Sequence, residues 1–235
     1  MLIIGHRGAS GEYPEHTSRA MRAALAQGAD GIECDIRLTK DGHLVCIHDP
    51  IVDRVSNGKG RVSTMTLAEL EQLDFGDGWP VLTFEELLDI HQEHEGTHLF
   101  VETKHPNRYG AKVEQHLAKA LSRRGLQSSE LIHIISFSIV SLYRAQKLLP
   151  NIETTWLHRD WYAPASEKLH RVNAHNYGAN IDVMMKNGEC AQIAESPVYT
   201  YTANTKEQIE AARDIGVSYL ATDYPQQARA ILRLA

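Results

Sequence analysis

Residues 1–38 read MLIIGHRGASGEYPEHTSRAMRAALAQGADGIECDIRL and contain one complete strand–helix–strand unit. The apolar run Leu2–His6 predicts a strand, and the amphipathic stretch Ser18–Gln27 predicts a helix that ends at Gly28. Gly31–Leu38 predicts the second strand. Because an intervening helix returns the chain to the starting edge of a sheet, these two strands are expected to be parallel.

The same alternation continues along the chain. Further strand-like runs are Leu44–His48, Leu99–Lys104, Ile132–Phe137, Glu153–His158, Ala179–Val183, Val198–Ala203 and Tyr219–Thr222. Helix-like stretches between them are Leu67–Leu73, Phe84–His91, Ala111–Arg124, Val140–Leu149 and Lys206–Ile215. About eight such units predict a closed TIM-type (β/α)₈ barrel, with a doubly wound open sheet as the structural alternative. Trp161–Cys190 fits this pattern only loosely.

One interruption of the alternation is expected after the second barrel strand. Asp41-Gly42 is a hairpin-turn sequence, so Leu44–His48 is predicted to pair antiparallel with Gly31–Leu38. The segment Asp49–Thr66 is then an inserted loop near the strand ends. The chain contains no interdomain linker, and residues 1–235 are predicted to form a single domain.

Composition restricts the possible partners. The formal net charge of −6 argues against a broad surface for nucleic acid or for anionic membranes, because such surfaces need clustered Lys and Arg. No apolar run reaches the roughly 18 to 20 residues of a membrane helix, so no integral membrane segment is expected. An anionic small-molecule substrate would need a local positive site.

Cysteine usage and the amino terminus bear on the cellular compartment. Cys34 and Cys46 lie in apolar runs, far from Cys190, and are expected to be buried free thiols. No signal-peptide pattern precedes His6, because Met1-Leu2-Ile3-Ile4 leads directly into the first motif. A cytoplasmic location is therefore expected.

Two carboxylates alternate in the second strand. Glu33 and Asp35 are two positions apart, so both project from the same face. Paired inward-facing carboxylates repel each other and lose hydration unless a cation offsets the cost. Hard oxygen ligands at this spacing suit Mg²⁺ or Ca²⁺. A solvated strand face with ordinary salt bridges is the alternative.

The strand Leu99–Lys104 repeats this arrangement with an acid and a base. Glu102 and Lys104 share a face, so Glu102 could complete a carboxylate set and Lys104 could hold a phosphate as a point charge. An ordinary cross-strand ion pair explains the same residues.

Two histidines follow predicted strands with reactive neighbours. His6-Arg7 ends the first strand and His48-Asp49 ends the hairpin strand. Two histidines near a metal could divide the proton transfers of ester cleavage, while Arg7 offers a planar fork to phosphate oxygens. Asp49 either orients His48 or begins the turn before Pro50. The other histidines lack such neighbours and are expected to be surface or packing residues.

Polar residues also end the last two predicted strands. Thr200–Asn204 and Ala221–Pro225 occupy positions where the active sites of barrel enzymes lie. The alternatives are local, because Asn204 could cap the next helix and Asp223 could begin a turn.

Taken together, these motifs resemble the glycerophosphodiester phosphodiesterase family over essentially the whole chain. The ordered matches are His6-Arg7-Gly8, Pro14-Glu15-His16-Thr17, Gly28-Ala29-Asp30, Glu33-Cys34-Asp35, Asp41-Gly42, His48-Asp49, Glu102-Thr103-Lys104, Ser136-Phe137, Thr202-Ala203-Asn204 and Thr222-Asp223-Tyr224-Pro225. The resemblance implies a TIM barrel and hydrolysis of glycerophosphodiesters to sn-glycerol 3-phosphate and an alcohol.

The resemblance also implies residue roles. Glu33, Asp35 and Glu102 would bind one divalent metal, Mg²⁺ or Ca²⁺. His6 and His48 would be the acid/base pair, and Arg7 and Lys104 would contact the substrate phosphate. Glu15, His16, Asp49, Tyr201 and Asn204 are candidates for support of these groups or for contact with substrate.

Two positions depart from the family pattern, and two other functions compete. His16 replaces an Asn, and Tyr201 replaces a Trp, so the details around the ligands and the head-group preference are open. A lysophospholipase D-type enzyme on the same fold would need an apolar groove, for which Trp156, Trp161 and Tyr162 are the nearest candidates. A non-catalytic phosphate-ligand binding protein would have lost motif members, whereas this chain retains the principal ones.

Overall fold

The structure is a computed structural model that describes residues 1–158, 174–187 and 197–233. Trp161, Tyr162, Cys190 and most of the loosely predicted segment lie outside these ranges.

The strands and helices alternate as the sequence predicts. The strands are β1 (Leu2–Gly5), β2 (Gly31–Leu38), β3 (Leu44–Cys46), β4 (His98–Thr103), β5 (Ile132–Ser136), β6 (Glu153–His158), β7 (Asn176–Asn180), β8 (Val198–Tyr201) and β9 (Tyr219–Thr222). The helices are α1 (Ser18–Ala26), α2 (Leu67–Leu70), α3 (Phe84–Glu93), α4 (Lys112–Arg123), α5 (Ile139–Leu148), α6 (Ile181–Asn187), α7 (Lys206–Ile215) and α8 (Pro225–Leu232), with a 3₁₀ turn at Val62–Thr64.

The parallel strands close into a barrel. Their order is β1-β9-β8-β7-β6-β5-β4-β2, and β1 also pairs with β2, so the sheet has no open edge between its first and last parallel strands. This closure confirms the predicted (β/α)₈ barrel and excludes the doubly wound open sheet, which needs two edges. The amino terminus contributes directly, because β1 is the strand that joins β2 to β9.

The predicted hairpin is confirmed. β3 pairs antiparallel with β2, with Ile36 opposite Cys46 and Leu38 opposite Leu44. Gly42 occupies the turn with a φ of +90°, which glycine adopts without steric cost. The hairpin and the inserted loop that follows it cover a small core of their own, formed by Val45, Ile47, Val52, Val62, Leu70, Phe75 and Val81.

Strand alternation divides the main core into two layers. The barrel interior contains Ile4, Phe100, Ile135, Leu157, Tyr199 and Ala221. The intervening strand residues, such as Ile3, Ile32, Cys34 and Val101, pack outward against the helices. Cys34 and Cys46 are buried free thiols, as predicted.

One sequence-based boundary is wrong. Ala179–Val183 was expected to be a strand, but the strand ends at Asn180 and α6 begins at Ile181. The Asn180 side chain accepts a hydrogen bond from the Asp182 N–H at 2.8 Å, which satisfies a free donor of the first helical turn. Ile181 and Met184 are fully buried at helical spacing. The short apolar run spans the end of a strand and the start of a helix. The sequence analysis extended the strand period into the helix. The sequence analysis also did not place α8.

The longest helix among the described residues, α4, has 12 residues. Within the described ranges, no helix combines the length and hydropathy that a membrane span requires.

Candidate active site

Three carboxylates converge at the carboxyl ends of β2 and β4. The register places Asp35 beside Glu102 and Glu33 beside Phe100, which faces the barrel interior. Neighbouring residues of parallel strands share a face, so all three carboxylates point inward. Ligand oxygens from Glu33, Asp35 and Glu102 lie within 4.8 Å of one another, and these residues are only 2%, 1% and 7% exposed.

Two cationic side chains contact this triad. Lys104 Nζ lies 2.7 Å from Asp35 Oδ1 and 2.7 Å from Glu102 Oε1. The backbone N–H of Arg7 donates to Glu33 Oε2 at 3.0 Å, and Arg7 Nε lies 3.3 Å from Asp35 Oδ2, an ion-pair contact without hydrogen-bond geometry. The loop after β1 therefore folds over the strand ends and brings the first motif to the acidic cluster.

The electrostatics of the triad suit a bound cation. Burial and the neighbouring Asp35 charge raise the pKa of Glu102 to about 7, and the same two causes raise the pKa of Glu33 well above its usual value. Burial would also raise the pKa of Asp35, but Lys104, His16 and Arg7 outweigh it and hold that pKa well below its ordinary value. Two buried carboxyls whose anionic forms are destabilised are the oxygen donor set that a divalent cation would offset.

His6 belongs to a polar network at the end of β9. His6 Nδ1 lies 2.7 Å from Asp223 Oδ1, and Ser10 Oγ donates to the same oxygen at 2.9 Å. Asn204 Nδ2 donates to Asp223 Oδ2 at 2.5 Å. Burial opposes ionisation of Asp223, but its bonds to His6, Asn204 and Ser10 lower its pKa. The ionised carboxylate accepts the Nδ1 proton, so Nε2 is the ring nitrogen left available.

His48 has an equivalent carboxylate partner. His48 Nδ1 lies 2.8 Å from Asp49 Oδ1, the contact expected of a carboxylate that orients His48. The Ile47 N–H donates to the Asp35 carbonyl at 2.9 Å, so the hairpin strand positions His48 beside the triad. Burial lowers the pKa of His48, and the nearby Lys104 and Arg7 add to this effect. A neutral ring can accept a proton at Nε2.

An exposed arginine connects the two histidine-bearing loops. Arg54 donates to both carboxylate oxygens of Glu15 at 2.8 Å and to Asp49 Oδ2 at 2.6 Å. Glu15 Oε1 also accepts from Arg7 Nη1 at 3.1 Å. Burial would raise the pKa of Glu15, but Arg54 and Arg7 lower it to about 2. Glu15 thus holds Arg7 in place and does not reach the triad itself.

His16 contacts a triad residue directly. Its Nε2 lies 2.8 Å from Asp35 Oδ2, and its own backbone N–H donates to the Arg7 carbonyl at 3.1 Å. Burial lowers the His16 pKa despite the Asp35 charge, so the ring is neutral and donates through Nε2–H. Nδ1 is buried without a hydrogen-bond partner in the described part of the chain. The substitution of the family Asn therefore retains a donor to Asp35.

The remaining candidates lie at the rim or beneath the site. Tyr201 donates its hydroxyl to the His158 carbonyl at 3.0 Å and meets Phe137 edge to face. Asn204 is not the N-cap of α7. Thr205 occupies that position, and its side chain accepts a hydrogen bond from the backbone N–H of Gln208. Trp156 is 6% exposed and packs on His158 and Tyr177, so it offers no membrane-facing surface.

Sequence reasoning missed three functional neighbours. Asp223 was placed among the polar residues at the last strand ends and in a family motif, but its contact with His6 was not predicted. Arg37 continues the row of Glu33 and Asp35 by two positions, and its guanidinium donates to the His48 carbonyl from Nε at 3.0 Å and Nη2 at 2.5 Å. The alternation rule alone could have found Arg37. Asp53-Arg54 also matches the family pattern, but no role was assigned to Arg54, because its partner Glu15 lies 39 positions away in the chain.

Fold and site together define an α/β-barrel enzyme. The active-site end of the barrel carries a buried acidic triad, two flanking cations and two histidines held by separate carboxylates. Such a site can hold one hard cation and an anionic ester between two proton-transfer groups. An arrangement of this kind is typical of metal-assisted phosphoester hydrolases.

Comparisons with known proteins identify the family. The chain matches the family model described as "Glycerophosphoryl diester phosphodiesterase family" over residues 6–227, and it belongs to that family. It is 36% identical to the probable glycerophosphodiester phosphodiesterase 1 of Mycobacterium tuberculosis (strain CDC 1551 / Oshkosh), over 98% of this chain and 92% of that protein. It is 32% identical to the glycerophosphodiester phosphodiesterase of Bacillus subtilis (strain 168), over 96% of this chain and 84% of that protein.

A solved structure supports the fold independently. A phosphodiesterase from Oleispira antarctica, in complex with the product sn-glycerol-3-phosphate, superposes with a TM-score of 0.91. The match covers 99% of this chain and 97% of that chain at 24% identity. These findings confirm the predicted family, enzyme class and barrel.

Proposed function

We propose that this protein hydrolyses glycerophosphodiesters to sn-glycerol 3-phosphate and an alcohol, with a divalent cation held by Glu33, Asp35 and Glu102. The observation that carries the proposal is the convergence of these three buried carboxylates with Arg7 and Lys104 at one end of the barrel. Relatives named as glycerophosphodiester phosphodiesterases supply the substrate class.

Side chains around the proposed cation site supply the other groups that bind phosphate and orient the ligands. Mg²⁺ or Ca²⁺ bound there would polarise the phosphoryl oxygens and offset their charge as the ester is attacked. Arg7 and Lys104, which both contact Asp35, would bind the phosphate as a planar fork and a point charge respectively. His16 orients Asp35 through its Nε2–H, at 2.8 Å from Oδ2.

The two histidines act as general base and general acid. Asp223 and Asp49 bind the Nδ1 atoms of His6 and His48, which leaves each Nε2 directed away from its carboxylate partner. One ring takes the proton of the attacking oxygen, and the other donates a proton to the departing alkoxide. Each carboxylate stabilises the imidazolium form of its histidine when that ring carries the extra proton.

The decisive experiment measures glycerol 3-phosphate release from glycerophosphocholine, glycerophosphoethanolamine and glycerophosphoglycerol with Mg²⁺, with Ca²⁺ or with EDTA. We expect release with metal, none with EDTA, and recovery when metal is added back. The variants His6→Ala and His48→Ala are each expected to lose at least about 100-fold in kcat. Equal turnover in EDTA would refute the metal role, and near-normal turnover of both variants would refute the histidine roles.

A further inference from the structure

A cationic cavity lies beside the proposed active site. It has a volume of about 340 Å³ and lies between the inserted loop after β3 and the loop after β4. Its lining includes Arg37, Arg61, Lys104 and Arg108, and none of the described residues that line it is acidic. The chain has 24 Lys and Arg against 30 Asp and Glu, so this cavity is positively charged in a protein whose net charge is negative.

The cavity is continuous with the catalytic groups at two points. Lys104 lines it and also contacts Asp35 and Glu102, both at 2.7 Å. Arg37 lines it and donates to the carbonyl of His48. The cavity therefore lies on the His48 side of the triad, next to Lys104, to which a role in phosphate binding is assigned above.

Three of the cavity's cations form no ion pair with the described residues. The ion pairs formed among the described residues involve Lys104 but not Arg37, Arg61 or Arg108. Arg37 is half-buried, and its Nε and Nη2 both donate to the His48 carbonyl rather than to a carboxylate. A half-buried guanidinium that forms no close ion pair favours binding of an anion, because its planar fork matches phosphate oxygens.

The walls of the cavity are fixed to each other. The Tyr109 hydroxyl, on the loop after β4, donates to the Ser63 carbonyl of the inserted loop at 2.6 Å. Val62 beside it is 1% exposed and packs into the small core beneath the hairpin. Arg61 and Arg108 thus project from two loops that are joined across the cavity.

We propose that this cavity is a subsite for a second phosphoryl group on the alcohol half of the substrate, so that the enzyme prefers glycerophosphodiesters with an anionic leaving alcohol. This inference rests on the proposed function and specifies its substrate class. A volume near the lower end of the range for small-molecule sites suits a compact polar group. The unpaired arginines would be neutralised by that group and would repel a cationic one.

The test uses a matched substrate pair. Glycerol 3-phosphate release is measured with Mg²⁺ from bis(glycerophospho)glycerol and from glycerophosphoglycerol, which differ only by the second glycerophosphate, and from the cationic glycerophosphocholine. After correction for the two equivalent ester bonds of the first substrate, we expect its kcat/KM to exceed that of glycerophosphoglycerol by about tenfold. Because salt screens charges, this preference is expected to shrink at high ionic strength.

Variants connect the preference to the cavity. Arg61→Gln and Arg108→Gln are each expected to reduce the ratio of the two kcat/KM values by about threefold, and the double variant by about tenfold. Arg61→Lys keeps the charge and is expected to keep the preference. Arg213→Gln removes one exposed arginine at the end of α7, where Arg213 pairs with its neighbour Asp214, and should change neither rate.

The outcomes separate the two proposals. No release from any of the three substrates would refute the proposed function. Equal kcat/KM for the matched pair, or a preference that survives in the Arg61→Gln/Arg108→Gln double variant, would overturn the subsite while leaving the phosphodiesterase activity in place.

Discussion

At the scale of single residues, the proposed chemistry depends on side chains that hold the reacting groups in position. Asp223 is the clearest case, because its carboxylate contacts His6, Ser10 and Asn204 at once. It lies 217 positions from His6 in the chain. Barrel closure between β1 and β9 brings the two together, which is why no local sequence pattern revealed the contact.

Replacing Asp223 should impair catalysis more than folding. Asp223→Ala removes the acceptor that fixes the tautomer of His6, and kcat is expected to fall by about 100-fold or more, with a smaller effect on KM. Ser10→Ala removes the hydroxyl contacts to Asp223 and to the His6 carbonyl but leaves the contact between Asp223 and the His6 ring, so it serves as the matched control. Thermal unfolding of both variants verifies that they fold. A kcat for Asp223→Ala close to that of Ser10→Ala would show that His6 does not need this partner.

His16 is expected to act through metal affinity. His16→Leu removes the donor to Asp35 and is expected to weaken Mg²⁺ binding by about 10- to 100-fold, because groups that orient metal ligands have effects of this size. His16→Asn restores a donor and should recover most of the affinity. Isothermal titration calorimetry measures the Mg²⁺ affinity directly and does not depend on enzyme activity. Unchanged affinity in His16→Leu would mean that Lys104 and Arg7 suffice to position Asp35.

At the scale of elements, buried polar bonds join the loop after β4 to two helices. Glu114 of α4 is 1% exposed, and its Oε1 lies 2.7 Å from His105 Nε2 and 2.6 Å from Ser141 Oγ of α5. His105 follows Lys104 directly, so this network fixes the strand end that carries the phosphate-binding lysine. The sequence indicated both helices but not this link, because Glu114 has the spacing of an ordinary helix residue.

Removing this link should destabilise the fold. Glu114→Ala leaves Ser141 and His105 without their shared acceptor, and the free energy of unfolding is expected to fall by about 2 kcal/mol. Urea denaturation measures it. Glu207→Ala, which removes an exposed carboxylate from the first turn of α7, is the control and should change stability by less than about 0.5 kcal/mol. A loss no larger than this control would show that the network adds no net stability.

The element pattern also shows how far sequence reasoning extends. The bounds of β2 were predicted correctly, because its eight residues alternate strictly. One set of side chains packs outward into the core, and the other set includes the inward-facing Glu33 and Asp35. α6 was misread because Ala179–Val183 is short, and Asn180 acts through a side-chain bond that apolarity does not reveal. Elements were predicted correctly where a regular pattern of apolar residues extended over many positions. The prediction failed where a single side-chain hydrogen bond determined the structure.

At the scale of the whole molecule, the barrel encloses polar groups at both ends. The triad occupies the carboxyl ends of the strands, and a pair of histidines occupies the opposite end. His98 Nδ1 lies 2.8 Å from His133 Nε2, and the His133 ring stacks on Phe100 with centroids 4.2 Å apart. These histidines were expected to be surface or packing residues, and the structure shows that both pack against neighbouring rings.

The buried histidines predict a loss of stability in acid. Burial, with a smaller effect of the neighbouring His98, lowers the pKa of His133 from 6.5 to about 3. Glu153 Oε2 lies 3.4 Å from Nδ1, but the Glu153 side chain is 44% exposed, so water screens its charge. Between pH 6.5 and 3 the unfolded chain therefore binds a proton that the folded barrel does not. The contribution of His133 is complete above pH 6.5 and is lost as the pH falls toward 3.

His133→Gln tests this linkage, because it removes the titrating group and keeps a polar side chain. The wild-type free energy of unfolding, followed by urea denaturation from pH 7.5 downward, should fall more steeply below pH 6.5 than that of the variant. The difference in slope can approach about 1.4 kcal/mol per pH unit for one proton. His43→Gln, at an exposed position of the hairpin turn, should retain the wild-type slope. Parallel curves for wild type and His133→Gln would mean that His133 takes up its proton in the folded state as readily as in the unfolded chain.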